Sequence, residues 1–225
     1  MAVLQVKRIC GAITVRQVKN ALDTMPTGLF DMYTEALERM RTQSDQRCQL
    51  GMRILSWISL AKRRLLVDEL RQALAVEYED GLDSPRQLDQ DNLPSVNALA
   101  DVCVGLVTIE HETRVIRLVH LTTQEYFDKY RVALFPNAES EISGVCLTYL
   151  SFDVFAEGPC TSDKDLEVRL QQFPFLHYAA HHWGHHLRGK PEKNIEKLVL
   201  KFLENNSKLV FNPSHAPSRI SIFWI

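Results

Sequence analysis

No run of about eighteen apolar residues, the length a helix needs to cross a bilayer, occurs in this 225-residue sequence, so no membrane-spanning segment is expected. The start, MAVLQVKRICGAITV, is interrupted by Lys7 and Arg8 before a secretory apolar core can form. There is no Cys-x-x-Cys pair. The cysteines at 10, 48, 103, 146 and 160 are odd in number and mostly sit in apolar stretches, where a free thiol behaves as a small hydrophobe. A reducing, cytoplasmic setting and a soluble chain fit that usage. Neither charge sign dominates: 26 Lys and Arg against 28 Asp and Glu leave a formal net charge of −2. Attraction of the whole chain to nucleic acid or to an anionic membrane is thereby excluded, and any such binding would have to be local. No tandem repeat, low-complexity tract or Ser-centred G-x-S-x-G elbow occurs, so the hydrolase chemistry that needs that elbow is not expected.

What is present is material for a core. A hydrophobic content of 45% suffices for one large domain or two small ones. Val15, Val18, Ala21 and Leu22 suit a short helix ending before Met25-Pro26. The spacing of Leu29, Met32, Tyr33, Ala36, Leu37 and Met40 predicts a helix with one buried face, and Leu50, Ile54, Trp57, Ile58 and Ala61 predict a second packed against it. After the basic turn Lys62-Arg63-Arg64, LLVDELRQALAVE reads as a third helix with Leu66, Leu70, Ala73 and Leu74 on one side and Asp68 and Glu69 near its positive end. The polar EDGLDSPRQLDQDN reads as a loop. PSVNALADVCVGL then predicts a fourth helix over Val96, Leu99, Ala100 and Cys103, stopped by a left-handed Gly105.

Two short β-branched stretches, LVTIE and RVIRLVH, separated by polar residues, predict a hairpin. LTTQEYFDKY follows as a helix, with Thr122 and Glu125 at capping-box spacing. Helices and then a hairpin are the order of a winged-helix module. Beyond Phe135-Pro136-Asn137, GVCLTYLSFDVF reads as a buried helix, a Gly158-Pro159 break follows, and LEVRLQQFPFLHYAAHHWGHHL with KNIEKLVLKFLENN supplies further amphipathic helices. The expected class is mainly α. Residues 1–26 are read as the tail of a preceding helical subdomain, 27–132 as the winged helix, 137–210 as a small helical bundle and 211–225 as an irregular tail whose apolar end suggests a truncated reading frame.

Five of the eight histidines fall between 177 and 186. At 100° per residue Leu176, Ala179, Ala180, Trp183 and Leu187 form a core stripe, with His177, His181 and His185 on one flank and His182 and His186 on the other. A zinc site could use the i, i+4 pair His177 and His181, but no Cys or carboxylate nearby in sequence completes it, so semi-exposed histidines beside a buried Trp are expected and no metal ligands are assigned. Gly184 to Lys190 matches G-x-x-x-x-G-K, yet Pro191 stands where a Ser or Thr must hold magnesium, and the segment follows a helix rather than a strand. It is not read as a phosphate loop. DNA binding fares poorly too. The helix PSVNALADVCVG, in the groove-reading position, has no Lys or Arg, and the wing tip sets Glu110, His111 and Glu112 beside a single Arg114. Lys62-Arg63-Arg64 is read as a solvated corner. A DNA-binding winged helix is kept as the alternative function, and a zinc enzyme at the histidines as a third.

The segments MPTGLFDMYTEALERM, RILSWISLAKRRLLVDELRQALAVE, LADVCVGLVTI and above all VIRLVHLTTQEYF, followed by CLTYLSF and FPFLHYAAHHWGHHLR, resemble the winged-helix and following helical region of NACHT-type STAND nucleoside triphosphatases of the fungal, NLR-like kind. The winged-helix type is also labelled after a GPI inositol-deacylase. The resemblance runs over roughly residues 5 to 205. It implies a non-catalytic switch segment in a signalling protein whose nucleotide-binding domain, lying upstream, carries the phosphate loop and magnesium-binding acids, with ankyrin or other repeats downstream. It also implies that His120 contacts the β-phosphate of ADP held by that domain. A histidine satisfied locally at a strand end is the simpler reading of the same residue. No cofactor is expected within this chain, and its implied partners are the nucleotide-binding and repeat domains of the intact protein, with no nucleic acid or membrane. Either a fragment of a longer gene or an orphan module would account for the missing nucleotide site.

Overall fold

The computed structural model describes residues 14–17, 28–77, 86–156, 158, 160, 162–187 and 193–205. Most of the short helix expected before Met25, most of the 1–26 segment, part of the polar loop, Pro159, the last residues of the phosphate-loop match and the tail 211–225 lie outside the described residues. The architecture is mainly helical with one small three-stranded sheet. Two compact units divide the chain: Met1–Val67 with Pro94–Pro136, and Asp68–Leu93 with Asn137–Ile225. The segment 68–93, inside the stretch read as the winged helix, is thus grouped with the C-terminal helices. Among the described residues no helix is long and apolar enough to cross a membrane.

In the first unit, α1 (Leu29–Arg41) buries Met32, Tyr33, Ala36, Leu37 and Met40, the face its spacing predicts. It packs on α2 (Asp45–Leu60), which buries Ile54, Leu55, Trp57 and Leu60. Gly51 permits the close approach, since a Cβ there would lie 2.7 Å from Met40 Sδ and 3.2 Å from the Val102 carbonyl oxygen. Strand β1 (Leu65–Leu66) comes next, a correction to the sequence reading, which began a helix there. Leu65 drops into the core, Leu66 is 41% exposed, and the Val67 N–H donates to the Arg114 carbonyl at 2.8 Å, so ladder bonds and core burial override helical spacing. Helix α3 (Val67–Ala75) starts immediately after and carries the chain into the second unit.

Helix α4 (Val96–Asp101) is capped by Ser95, whose Oγ accepts from the Ala98 N–H at 3.3 Å. It ends earlier than its spacing suggests, because Val104 (φ 44°) and Gly105 (φ 94°) both turn left-handed and aim the chain into the sheet. Gly105 adopts that region without steric cost, whereas a β-branched valine does not. Strand β2 (Val107–Ile109) pairs with β3 (Val115–Leu118), and β3 with β1, all antiparallel, in the order β1-β3-β2. Ile116 and Leu118 face the core. Helix α5 (Leu121–Leu134) closes the unit with Tyr126 and Phe127 buried. Helix, strand, helix, helix and two hairpin strands, from α2 to β3, is the order of a winged helix.

In the second unit, α6 (Ala138–Leu150) is buried almost all round from Ile142 to Leu150. Helices α7 (Asp163–Gln172), α8 (Phe175–His186) and α9 (Lys193–Asn205) follow; α8 and α9 both pack on α6. The core is aromatic, with Phe152, Phe155, Phe173 and Phe175 ringing Tyr149 at centroid distances of 5.1 to 6.5 Å. Gln72 of α3 satisfies the polar atoms inside. Its Oε1 accepts from Tyr149 OH at 2.5 Å and from the Phe175 N–H at 3.4 Å, while its Nε2 donates to the Gln172 carbonyl at 3.0 Å. Burial pushes the Tyr149 phenol and the Cys146 thiol far above their ordinary ranges, so both stay neutral and serve packing rather than chemistry.

Candidate functional site

His120 lies at the junction of β3 and α5, in extended conformation (φ −152°, ψ 155°), as the cap of that helix. The Thr122 N–H donates to its Nδ1 at 3.2 Å. The same nitrogen lies 2.9 Å from Thr122 Oγ1, which is 2.7 Å from Tyr33 OH. Because Nδ1 accepts, the neutral ring carries its proton on Nε2, and that N–H points away from the cap. The ring is exposed, and Leu121 beside it is 73% exposed. The capping box expected from Thr122 and Glu125 does not form: Thr122 is the second helical residue, Glu125 is exposed, and imidazole replaces the hydroxyl as cap. Nothing in the spacing alone marks this, because histidine is an uncommon cap.

The histidine helix divides its residues differently from the helical-wheel reading. His177 and His181 are exposed and stack with centroids 4.3 Å apart, and His181 Nδ1 bonds the His177 carbonyl at 2.9 Å. His186, expected on a flank outside the core, is buried at 4% exposure, while Trp183, expected inside, is half-buried with an edge contact to Phe202. The reason is non-local. His186 Nδ1 forms a short hydrogen bond with Glu139 in the first turn of α6, and Nε2 lies 2.9 Å from Tyr178 OH. With both ring nitrogens satisfied, the desolvation cost of burial is offset. This trio was not legible in the sequence, since Glu139 is 47 residues from its partner. Among the described residues no three His, Cys, Asp or Glu side chains are placed to hold a metal ion. Gly184 to His186 continue helix α8 and Leu187 turns at its C-terminal end, so the described part of the phosphate-loop match stands where a helix finishes and not at a helix N-terminus.

At the hairpin, Glu110 accepts from Arg117 Nε at 2.5 Å and from Thr113 Oγ1 at 2.9 Å. The Arg117 hydrogen bond, helped by Thr113, holds the Glu110 carboxyl below the usual glutamate range. Arg114 (φ 57°) is held in the turn by its N–H to the Glu110 carbonyl at 2.9 Å and by its own carbonyl to Val67. The basic corner Lys62-Arg63-Arg64 runs directly into β1 and so stands at the edge of the same sheet.

Fold and site define a winged-helix protein with an appended helical region. Residues 37–134 match the family model described as "GPI inositol-deacylase, winged helix domain". The chain is also similar to "Azaphilone pigments biosynthesis cluster protein L" of Monascus ruber, at 28% identity over 205 aligned residues, covering 83% of this chain and 41% of that protein. The chain therefore spans about two fifths of the length of this curated relative. No solved structure matches.

Proposed function

We propose that the chain is a non-catalytic regulatory and interaction module, the switch segment of a NACHT-type, NLR-like signalling protein. The winged-helix family match, the similarity to a segment of a longer fungal protein, and the exposed junction around His120 support this reading. The observation that carries it is the geometry of His120. One ring nitrogen is consumed by the helix cap, and the other presents an N–H at the start of a 14-residue helix, where the backbone dipole favours an anion. A phosphate held by a neighbouring nucleotide-binding domain is the chemistry that such a donor recognises. ADP or ATP would be bound by that domain, with no cofactor held by this chain alone. The exposed Leu121 beside the ring supplies apolar area for the docked state.

In this mechanism the winged helix exists docked and undocked, and the His120 contact stabilises the docked arrangement because only there does the ring reach a phosphate. Exchange of the nucleotide removes that differential contact and shifts the population. In a longer relative that carries both domains, replacing the histidine matching His120 by Leu is expected to speed ADP release and raise resting activity. Unchanged ADP retention and resting activity would discard the role.

A further inference from the structure

The sheet order brings together charges that are far apart in sequence. Leu66 of β1 stands opposite Val115 of β3, and Thr108 of β2 opposite Arg117. Side chains alternate along a strand, so Leu66, Val115 and Arg117 share the face turned away from the core, opposite to buried Leu65, Ile116 and Leu118. Arg64, two residues before Leu66, joins that face, and its field reaches Glu110. Lys62, Arg63 and Arg114 flank it, so five cations surround one apolar pair. On the hairpin itself these cations meet Glu110, already bonded to Arg117, and Glu112 at the turn. This concentration sits in a chain whose net charge is −2.

We infer that the outer face of the wing sheet, centred on Leu66 and Val115 and rimmed by Arg64, Arg114 and Arg117, docks an acidic protein segment that also carries aliphatic side chains. Charge complementarity selects the acids, since arginine forks match carboxylates, and the apolar pair selects what lies between them. A nucleic-acid duplex fits less well. Phosphates gain nothing from Leu66, which is 41% exposed, and α4, the helix in the groove-reading position, has six residues without Lys or Arg. The inference deepens the interaction role proposed above and rests on it only in taking the partner to be a protein. Neither nucleotide nor His120 enters it.

The test uses the whole chain and three fluorescent probes: a peptide of alternating Glu and Val, the same peptide with Gln for every Glu, and a random DNA duplex. The Glu-Val peptide is expected to bind in a salt-sensitive manner, the Gln peptide not to bind, and Arg64→Glu to weaken binding about tenfold or more. Leu66→Ser should weaken it several-fold, and Lys129→Glu, an exposed charge reversal on α5, and His120→Asp should leave it unchanged. Thermal unfolding of Arg64→Glu, matching that of the unaltered chain, would show that the variant folds. Absence of peptide binding, an equal loss in Lys129→Glu, or tighter binding of the duplex that is also lost in Arg64→Glu would each overturn the inference. A failure here leaves ADP retention in the longer relative untouched, and a failure there leaves peptide binding untouched, so the two readings fall separately.

Discussion

His120 and His186 each stand at a helix end, one in each compact unit, and the structure gives them opposite environments. His120 precedes the first residue of α5, is exposed, and spends one nitrogen on the backbone. His186 is the last residue of α8, is buried, and spends both nitrogens on side chains. The second case is closed at both ends: an imidazole at the C-terminus of α8 meets a carboxylate in the first turn of α6, where the helix dipole favours the acid. Such a closed trio is a structural device. The first case leaves a donor over beside an exposed leucine, and that donor is the one the proposed docking uses. The distinction lies in what the second nitrogen does, and residue type alone cannot supply it.

Substitutions should separate the two sites. His186→Leu removes a buried ring whose hydrogen-bond partners Tyr178 and Glu139 stay behind, and is expected to destabilise the second unit by about 3 kcal/mol in denaturant unfolding. A loss below about 1 kcal/mol, the scale of one ordinary hydrogen bond, would break the contrast with His120. Gly51→Ala probes the first unit's packing. Its Cβ would press on Met40 Sδ and on the Val102 backbone carbonyl, for an expected cost of about 1–3 kcal/mol by the same assay.

His120→Ala loses only a cap, about 0.5–1 kcal/mol, and His120→Asp should restore most of that because a carboxylate accepts the same N–H. The pair sharpens the comparison, since Asp keeps the cap and discards the ring donor; in a longer relative it should restore stability without restoring ADP retention. The smallest effect is expected at the wing. The carboxyl of Glu110 is held low by Arg117, so its contribution is present above the ordinary glutamate range and disappears as pH falls through the depressed value. Glu110→Gln should remove that acid dependence, and added salt should weaken it in the unaltered chain, because the pair is half-exposed.

Much of the architecture is local and was legible. Helix α1 buries the apolar positions its spacing assigns from Met32 to Met40, with Leu29 half-buried at its start, and the hairpin falls on its two β-branched stretches with Gly105 left-handed before it. What the residues hid is non-local. Strand β1 is two residues long and owes its conformation to pairing with β3, some fifty positions away in the register, so local helical spacing misassigned it. The wing surface depends on the same pairing. His186 depends on Glu139, and the polar satisfaction of the aromatic core depends on Gln72, which meets Tyr149 across 77 residues. His120 stands out in the sequence as a candidate through a family resemblance, whereas its role as a cap is visible only in the structure, because an imidazole rarely takes a place that serine, threonine or aspartate usually fills.

The proposed switch depends most on the ring of His120 serving the helix with one nitrogen and the surroundings with the other. Long-range proton–nitrogen NMR of the imidazole, at a pH where the ring is neutral, reads this directly. The expected spectrum shows Nε2 protonated and Nδ1 as the bare acceptor, with the Nδ1 signal moving in Thr122→Pro, which deletes the donated N–H. A ring protonated on Nδ1, or one whose signals ignore that substitution, would contradict it.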